Sequence, residues 1–411
     1  MRRTLALGML STLAALAACE KNKNVDPPAE LTDFKSTAKV EKVWSSSIGG
    51  GDPELRLGLG ISRDGGMIFS AGHNGDVGAF DIKTGRRLWK TDTKLPLSGG
   101  PGAGQGLVVA GADHGDIVAL DAKSGAIRWK TRINSEVLAA PAIGSDLVIM
   151  RTADGRVTAL HVADGSVAWV AEQQVPRLTL RGTAQPVIAG DLAISGFDNG
   201  RIMALALSNG GTAWEMTVAP AAGRTELERL VDIDSAAKVV GDDVYAVTFQ
   251  GKVARIARDT GQVWWSRDMS SYSGLDIDED GVYVSTSEGA VVKIGRRTGV
   301  ELWKQEALSR RRLSPPAVVG PFVVVADLEG YLHFLDINTG TLVARVHASG
   351  ERVRSAPIVD GDTVIIKDDK GNLSAWRAVS TAPRSAPVAE PAATTPAAPA
   401  ATPPAAAPAS N

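Results

Sequence analysis

A glycine followed by alternating apolar residues recurs eight times in this chain, and that repetition limits the possible folds more than any other feature. The copies are GDVGAFD from Gly75, GDIVALD from Gly115, GRVTALH from Gly155, GRIMALA from Gly200, GKVARIA from Gly251, GAVVKIG from Gly289, GYLHFLD from Gly330 and GNLSAWR from Gly371. Alternation with period two is the signature of a strand with one buried face. A second signature follows each of the first six copies: a turn glycine with a tryptophan four residues later. The pairs are Gly85–Trp89, Gly125–Trp129, Gly165–Trp169, Gly210–Trp214, Gly261–Trp265 and Gly299–Trp303. The seventh copy keeps Gly340 but has Ala344 in place of the tryptophan. Divided by eight, residues 39–379 give about 43 residues per unit, the size of a four-stranded propeller blade.

The two ends of the repeat are complementary. The last unit has its GNLSAWR strand but no turn and tryptophan strand after it. The start of the chain has VEKVWSS, with Trp44, but no glycine strand before it. An amino-terminal strand that completes the last blade would close the ring and leave no open edge. The expected fold is therefore all-β, an eight-bladed propeller. Its tryptophan repeats resemble those of quinoprotein (PQQ-dependent) dehydrogenases. Each tryptophan is expected to fill the gap between neighbouring blades.

Both termini stand apart from the repeat. Arg2 and Arg3 precede an apolar run of 14 residues, Leu5–Ala18, which is short for a membrane span. The run ends in Leu16-Ala17-Ala18-Cys19, and Cys19 is the only cysteine in the chain. Small residues before a cysteine at this place resemble a bacterial lipobox. Residues 1–18 are then a lipoprotein signal peptide, Cys19 the lipidated first residue and 19–38 a polar tether. By analogy with lipoprotein sorting, Glu20 after the cysteine favours the periplasmic face of the outer membrane. The repeats span 39–379. Residues 380–411 are rich in proline, alanine, serine and threonine and cannot bury enough apolar surface to fold.

Nothing in the residues forms a catalytic constellation. The five histidines are scattered through the repeats without metal-ligand spacing. There is no GxSxG, no P-loop and no dinucleotide fingerprint. A formal net charge of −2 argues against nucleic acid as a partner. The enzyme alternative is a periplasmic quinoprotein-like dehydrogenase, but the extra length and adjacent cysteines common in those enzymes are missing. No catalytic residue, metal site or cofactor is expected.

Function is then sought where the repeat is interrupted. From each tryptophan to the next inner strand the count is 12 at Trp89–Pro101, 12 at Trp129–Pro141 and 13 at Trp303–Pro316. It rises to 17 at Trp169–Pro186 and 23 at Trp214–Ala237. The long connections are consecutive and equivalent, so they emerge side by side on one face, where binding groups are commonly mounted. The first contains PRLTLRG, with Leu178, Leu180 and Arg181. The second contains GRTELERLVDIDS, with Asp232 and Asp234. Thr225-Glu226-Leu227-Glu228 has capping-box spacing, so a short helix is expected there. Residue types alone leave two readings open. The leucines could contact a partner, or they could pack beneath their own loop while Arg181 pairs with Asp232 or Asp234.

PRLTLRG, GRTELERLVDID and LEGYLHFLD, together with the signal and all eight repeats, resemble the BamB family, the lipoprotein component of the outer-membrane β-barrel assembly machinery. The resemblance implies docking onto the periplasmic POTRA domains of BamA, with contact roles for Leu178, Leu180 and Arg181 and support from Asp232 and Asp234. It also implies a scaffold that assists folding and insertion of outer-membrane proteins, with direct contact to nascent barrel chains as a further implied role.

Overall fold

The computed structural model describes residues 26–51, 57–174, 176 and 184–381, and its elements are all β. They form eight antiparallel sheets of four strands, one of which gains a fifth. Each sheet is one repeat. Blade one, for example, runs Ile61–Asp64, Met67–Ala71, Asp76–Asp81 and Arg87–Asp92 from inner to outer strand. The glycine-led strands are the third of each blade, and the tryptophan strands the fourth. The extra strand, Gly58–Leu59, pairs in parallel with the inner strand of blade two.

The ring closes as the complementary ends require. Ala38–Ser47 pairs antiparallel with Asn372–Ser380 as the outermost strand of blade eight. This strand contributes side-chain packing as well as backbone hydrogen bonds. Trp44 is buried between blades eight and one, among Ile68, Phe80, Ile365 and Leu373. One segment from the start of the chain thus fills the seam that the end of the chain leaves open.

Seven of the nine tryptophans follow a single rule. Each lies against the turn glycine of the next blade, and its indole N–H donates to a backbone carbonyl in that turn. Trp44 donates to Ile82 at 3.0 Å, Trp89 to Ala122 at 2.9 Å, Trp129 to Val162 at 2.9 Å and Trp169 to Leu207 at 2.8 Å. Trp214, Trp265 and Trp303 repeat this with Arg258, Arg296 and Ile337. The glycine is required on two counts. At Gly165 φ is +73°, and a Cβ there would lie 2.5 Å from the Trp129 ring. The same rule explains Ala344. The blade it faces has no outer hairpin, because the two chain segments meet there. Ala344 packs instead with Ala38 and Trp376. Eight apolar clusters, one for each blade-to-blade gap, make up the core.

Candidate functional site

Chain direction alternates along a blade, so the glycine turns between second and third strands share a face with the connections between blades. The two long connections, 173–186 from blade three to four and 218–237 from four to five, leave and rejoin the ring on this loop face. Leu178, Leu180 and Arg181 fall within 177–183, outside the described residues.

The second connection is described throughout. Its expected helix is a single turn. Thr225 Oγ1 accepts from the Glu228 N–H at 3.2 Å, and Glu228 Oε2 accepts from the N–H groups of Arg224 and Thr225 at 2.7 and 3.1 Å. The capping box therefore forms. The chain turns away after two backbone bonds, Arg229 N–H to Thr225 and a longer one from Leu230 N–H to Leu227, because Leu230, Val231 and Ile233 are drawn into the protein. Leu227 is left at the tip, 67% exposed, the highest value among the large apolar residues described. No pattern in the sequence singled it out. The available clue was its place between two capping-box residues that turn their own side chains toward the backbone.

Asp232 and Asp234 alternate with inward-facing Ile233, as the spacing suggested, but they do not stand out as free surface charges. Asp232 is fully buried. Asp234 is half-buried, with both carboxylate oxygens closed off from solvent. They converge on Asp198, in the glycine turn of blade four, with carboxylate oxygens within 4.8 Å of one another. Arg151, at the end of a blade-three strand, is ion-paired with Asp198, and both side chains are 2% exposed. Its guanidinium also stacks 5.5 Å from the Phe197 ring centroid. Burial together with Asp232 and Asp198 pushes the Asp234 carboxyl up to about 8, with Arg151 pulling the other way. The set has the spacing to bridge a divalent cation; the Arg151 guanidinium offsets the charge of Asp198, and the raised affinity of Asp234 for its proton lowers the charge of a second carboxylate.

Arg151 and Asp198 were missed in the sequence, although a signal was there. Four residues before each repeat glycine stand Ala71, Gly111, Arg151, Gly196, Val247, Ser285, Ala326 and Lys367. Two cations interrupt a row of small or neutral residues, and each reaches the next blade. Arg151 reaches Asp198, and Lys367 donates to the Ala71 and Leu59 carbonyls at 2.6 and 2.7 Å across the closing seam.

The proton on Asp234 makes a prediction. In an unfolded chain that proton leaves near pH 4, but in the folded protein it is held to about 8. The stabilisation is complete below pH 4 and is lost as pH rises to 8. Asp234→Asn should flatten this part of the stability–pH curve and give a higher Tm than wild type at pH 8. Parallel pH curves for the two proteins would exclude a protonated Asp234.

The family model described as outer membrane protein assembly factor BamB matches residues 73–305 and 287–383. The BamB of Pseudomonas aeruginosa is 43% identical over 369 residues, covering 90% of this chain and 97% of that protein. The chain belongs to the BamB family. The BamB of Alkalilimnicola ehrlichii is 42% identical, covering 91% of this chain and 97% of its own. The crystal structure of BamB from Moraxella catarrhalis superposes with a TM-score of 0.75 at 28% identity, covering 82% of this chain and all of that one.

Quinohemoprotein alcohol dehydrogenase from Comamonas testosteroni shares the fold, with a TM-score of 0.66 at 13% identity, covering 82% of this chain and 76% of that one. The likeness is one of architecture. In this BamB-family chain the axial cavity, about 430 Å³, is lined by prolines of the inner strands, Pro101 within one and Pro316 and Pro357 just before two others, and by charged side chains. Among those charges Arg354 pairs with Asp369 at 2.7 Å and Lys238 with Asp276 at 3.1 Å, while Lys367 donates to backbone carbonyls.

Proposed function

We propose that this chain is a non-catalytic scaffold of outer-membrane protein assembly, held by lipid at Cys19 on the periplasmic face of the outer membrane and docked through its loop face onto the POTRA domains of BamA. The observation that carries the reading is the pair of enlarged, adjacent connections on one face of an otherwise regular ring, with Leu227 exposed at the tip of one. A rigid scaffold with its irregularity confined to neighbouring loops suits binding more than chemistry. Leu178 and Leu180 supply apolar area, and Arg181 sets orientation more than affinity. Asp232 and Asp234 act from beneath: their buried cluster with Asp198 and Arg151 sets the course of the second loop. Nascent barrel proteins are a further proposed partner of the assembled complex.

Co-purification from detergent-solubilised membranes tests the reading. Leu178→Glu combined with Arg181→Ala should abolish recovery of BamA while leaving the thermal transition of the propeller unchanged. Undiminished recovery with the folded double variant would sink the docking assignment.

A further inference from the structure

The segment that reads as a loose polar tether is partly built into the propeller. Residues 26–37 run along blade seven from the loop face to the opposite face. At the loop face, the Ala29 N–H donates to Ser309 at 2.9 Å, and Arg310 donates to the Pro27 carbonyl at 3.1 Å and pairs with Asp26 at 3.3 Å. Midway, Leu31 packs on the cluster between blades six and seven. Arg345 donates to the Thr32 carbonyl at 3.0 Å, with its guanidinium 5.0 Å from the Phe34 ring centroid. At the far face, the Thr37 N–H donates to Val343 at 2.9 Å, just before the closing strand begins.

The residue that organises this strap is Arg311. Its side chain is 3% exposed. It donates to Asp327 at 2.6 Å, to the Ala29 carbonyl at 2.9 Å and to Glu329. Asp327 in turn meets buried His333 at 2.9 Å, and Arg345 donates to the other ring nitrogen of His333 at 3.3 Å. The LEGYLHFLD segment, with no role so far, supplies Glu329 and His333 to this network. Arg310 and Arg312, on either side of Arg311, have φ of 59° and 50°, a left-handed conformation that arginine adopts only when its surroundings hold it there.

We infer that this strap fixes the direction in which the amino terminus leaves the propeller, so that a lipid on Cys19 holds the loop face toward the bilayer. The inference rests on the proposed lipidation. Asp26 is seven residues from Cys19, a reach of at most about 25 Å when fully extended. An unstrapped tether would let the domain present either face. The bilayer would then bound one side of the space available to any partner on the loop face.

The test uses full-length acylated protein in phosphatidylethanolamine–phosphatidylglycerol vesicles that carry a headgroup-linked energy acceptor. A donor dye is attached through Gly350→Cys on the loop face or Glu279→Cys on the opposite face, two exposed positions. Strands of five or six residues separate the faces by about 20 Å. Transfer from position 350 should exceed that from 279 several-fold. The ratio should approach one in Arg345→Ala and in a variant with residues 26–37 replaced by glycine and serine at equal length. Equal transfer in the strapped protein, or an unchanged ratio after strap replacement in a folded chain, overturns the inference. Failure of the unaltered protein to float with the vesicles instead overturns the anchoring reading on which it rests.

Discussion

Trp129→Ala should lower the unfolding free energy by about 3–5 kcal/mol, the usual cost of deleting a large buried aromatic side chain. Trp129 is only 8% exposed, and its ring covers Gly165 of the next blade while its N–H bonds Val162. The substitution would open a void and leave that carbonyl without its indole donor, and both effects act in the same direction. Gly165→Ala should also destabilise, because its Cβ would meet the ring at 2.5 Å and its φ is +73°. Combined, the two should cost less than their sum: once the indole is gone, the clash is gone and only the backbone strain remains. Urea unfolding of the three variants checks this. A Trp129→Ala midpoint equal to that of wild type would remove the tryptophan from the core.

Deleting residues 38–47 should have a larger effect than any single tryptophan substitution. The closing strand makes the whole outer ladder of blade eight, from Ala38 opposite Ser380 to Ser47 opposite Asn372. It also carries Trp44, which covers Gly85 and donates to Ile82. Its loss exposes a strand edge and empties the seam between blades eight and one, which invites edge-to-edge pairing. The truncated chain should elute as aggregates on size-exclusion chromatography with light scattering, whereas Trp44→Ala should stay monomeric with a lowered Tm. A monodisperse, cooperatively melting truncation would mean that the ring closes by some other means.

These expectations follow from a feature that was plain in the sequence. Eight glycine-led alternations, and tryptophans four residues after turn glycines, describe local requirements: a buried face, a left-handed turn and a ring to lie across it. Local requirements repeat when the structure repeats, so they can be counted. The same counting located the two long connections, and even the missing tryptophan at Ala344 proved regular once its neighbour was known to lack a hairpin.

The site was less legible, for a physical reason. Asp232 and Asp234 look like surface charges in a polar loop, yet the fold buries them beside Asp198 and Arg151, residues that lie 34 and 81 positions before Asp232 in the chain. Leu227 looks no more exposed than Leu230, yet one lies at the tip and the other inside. Likewise, the strap gives no sign in composition that its carbonyls meet Arg311 and Arg345.

By itself, the sequence determined the architecture, the number of blades, the closure of the ring and the face on which its irregularities cluster. Periodicity and turn chemistry act between near neighbours and leave their mark on the chain. Only the tertiary structure decided which charges are buried, which leucine is presented and where the amino terminus departs. Those outcomes depend on which distant segments the closed ring brings together, and no local pattern encodes such encounters.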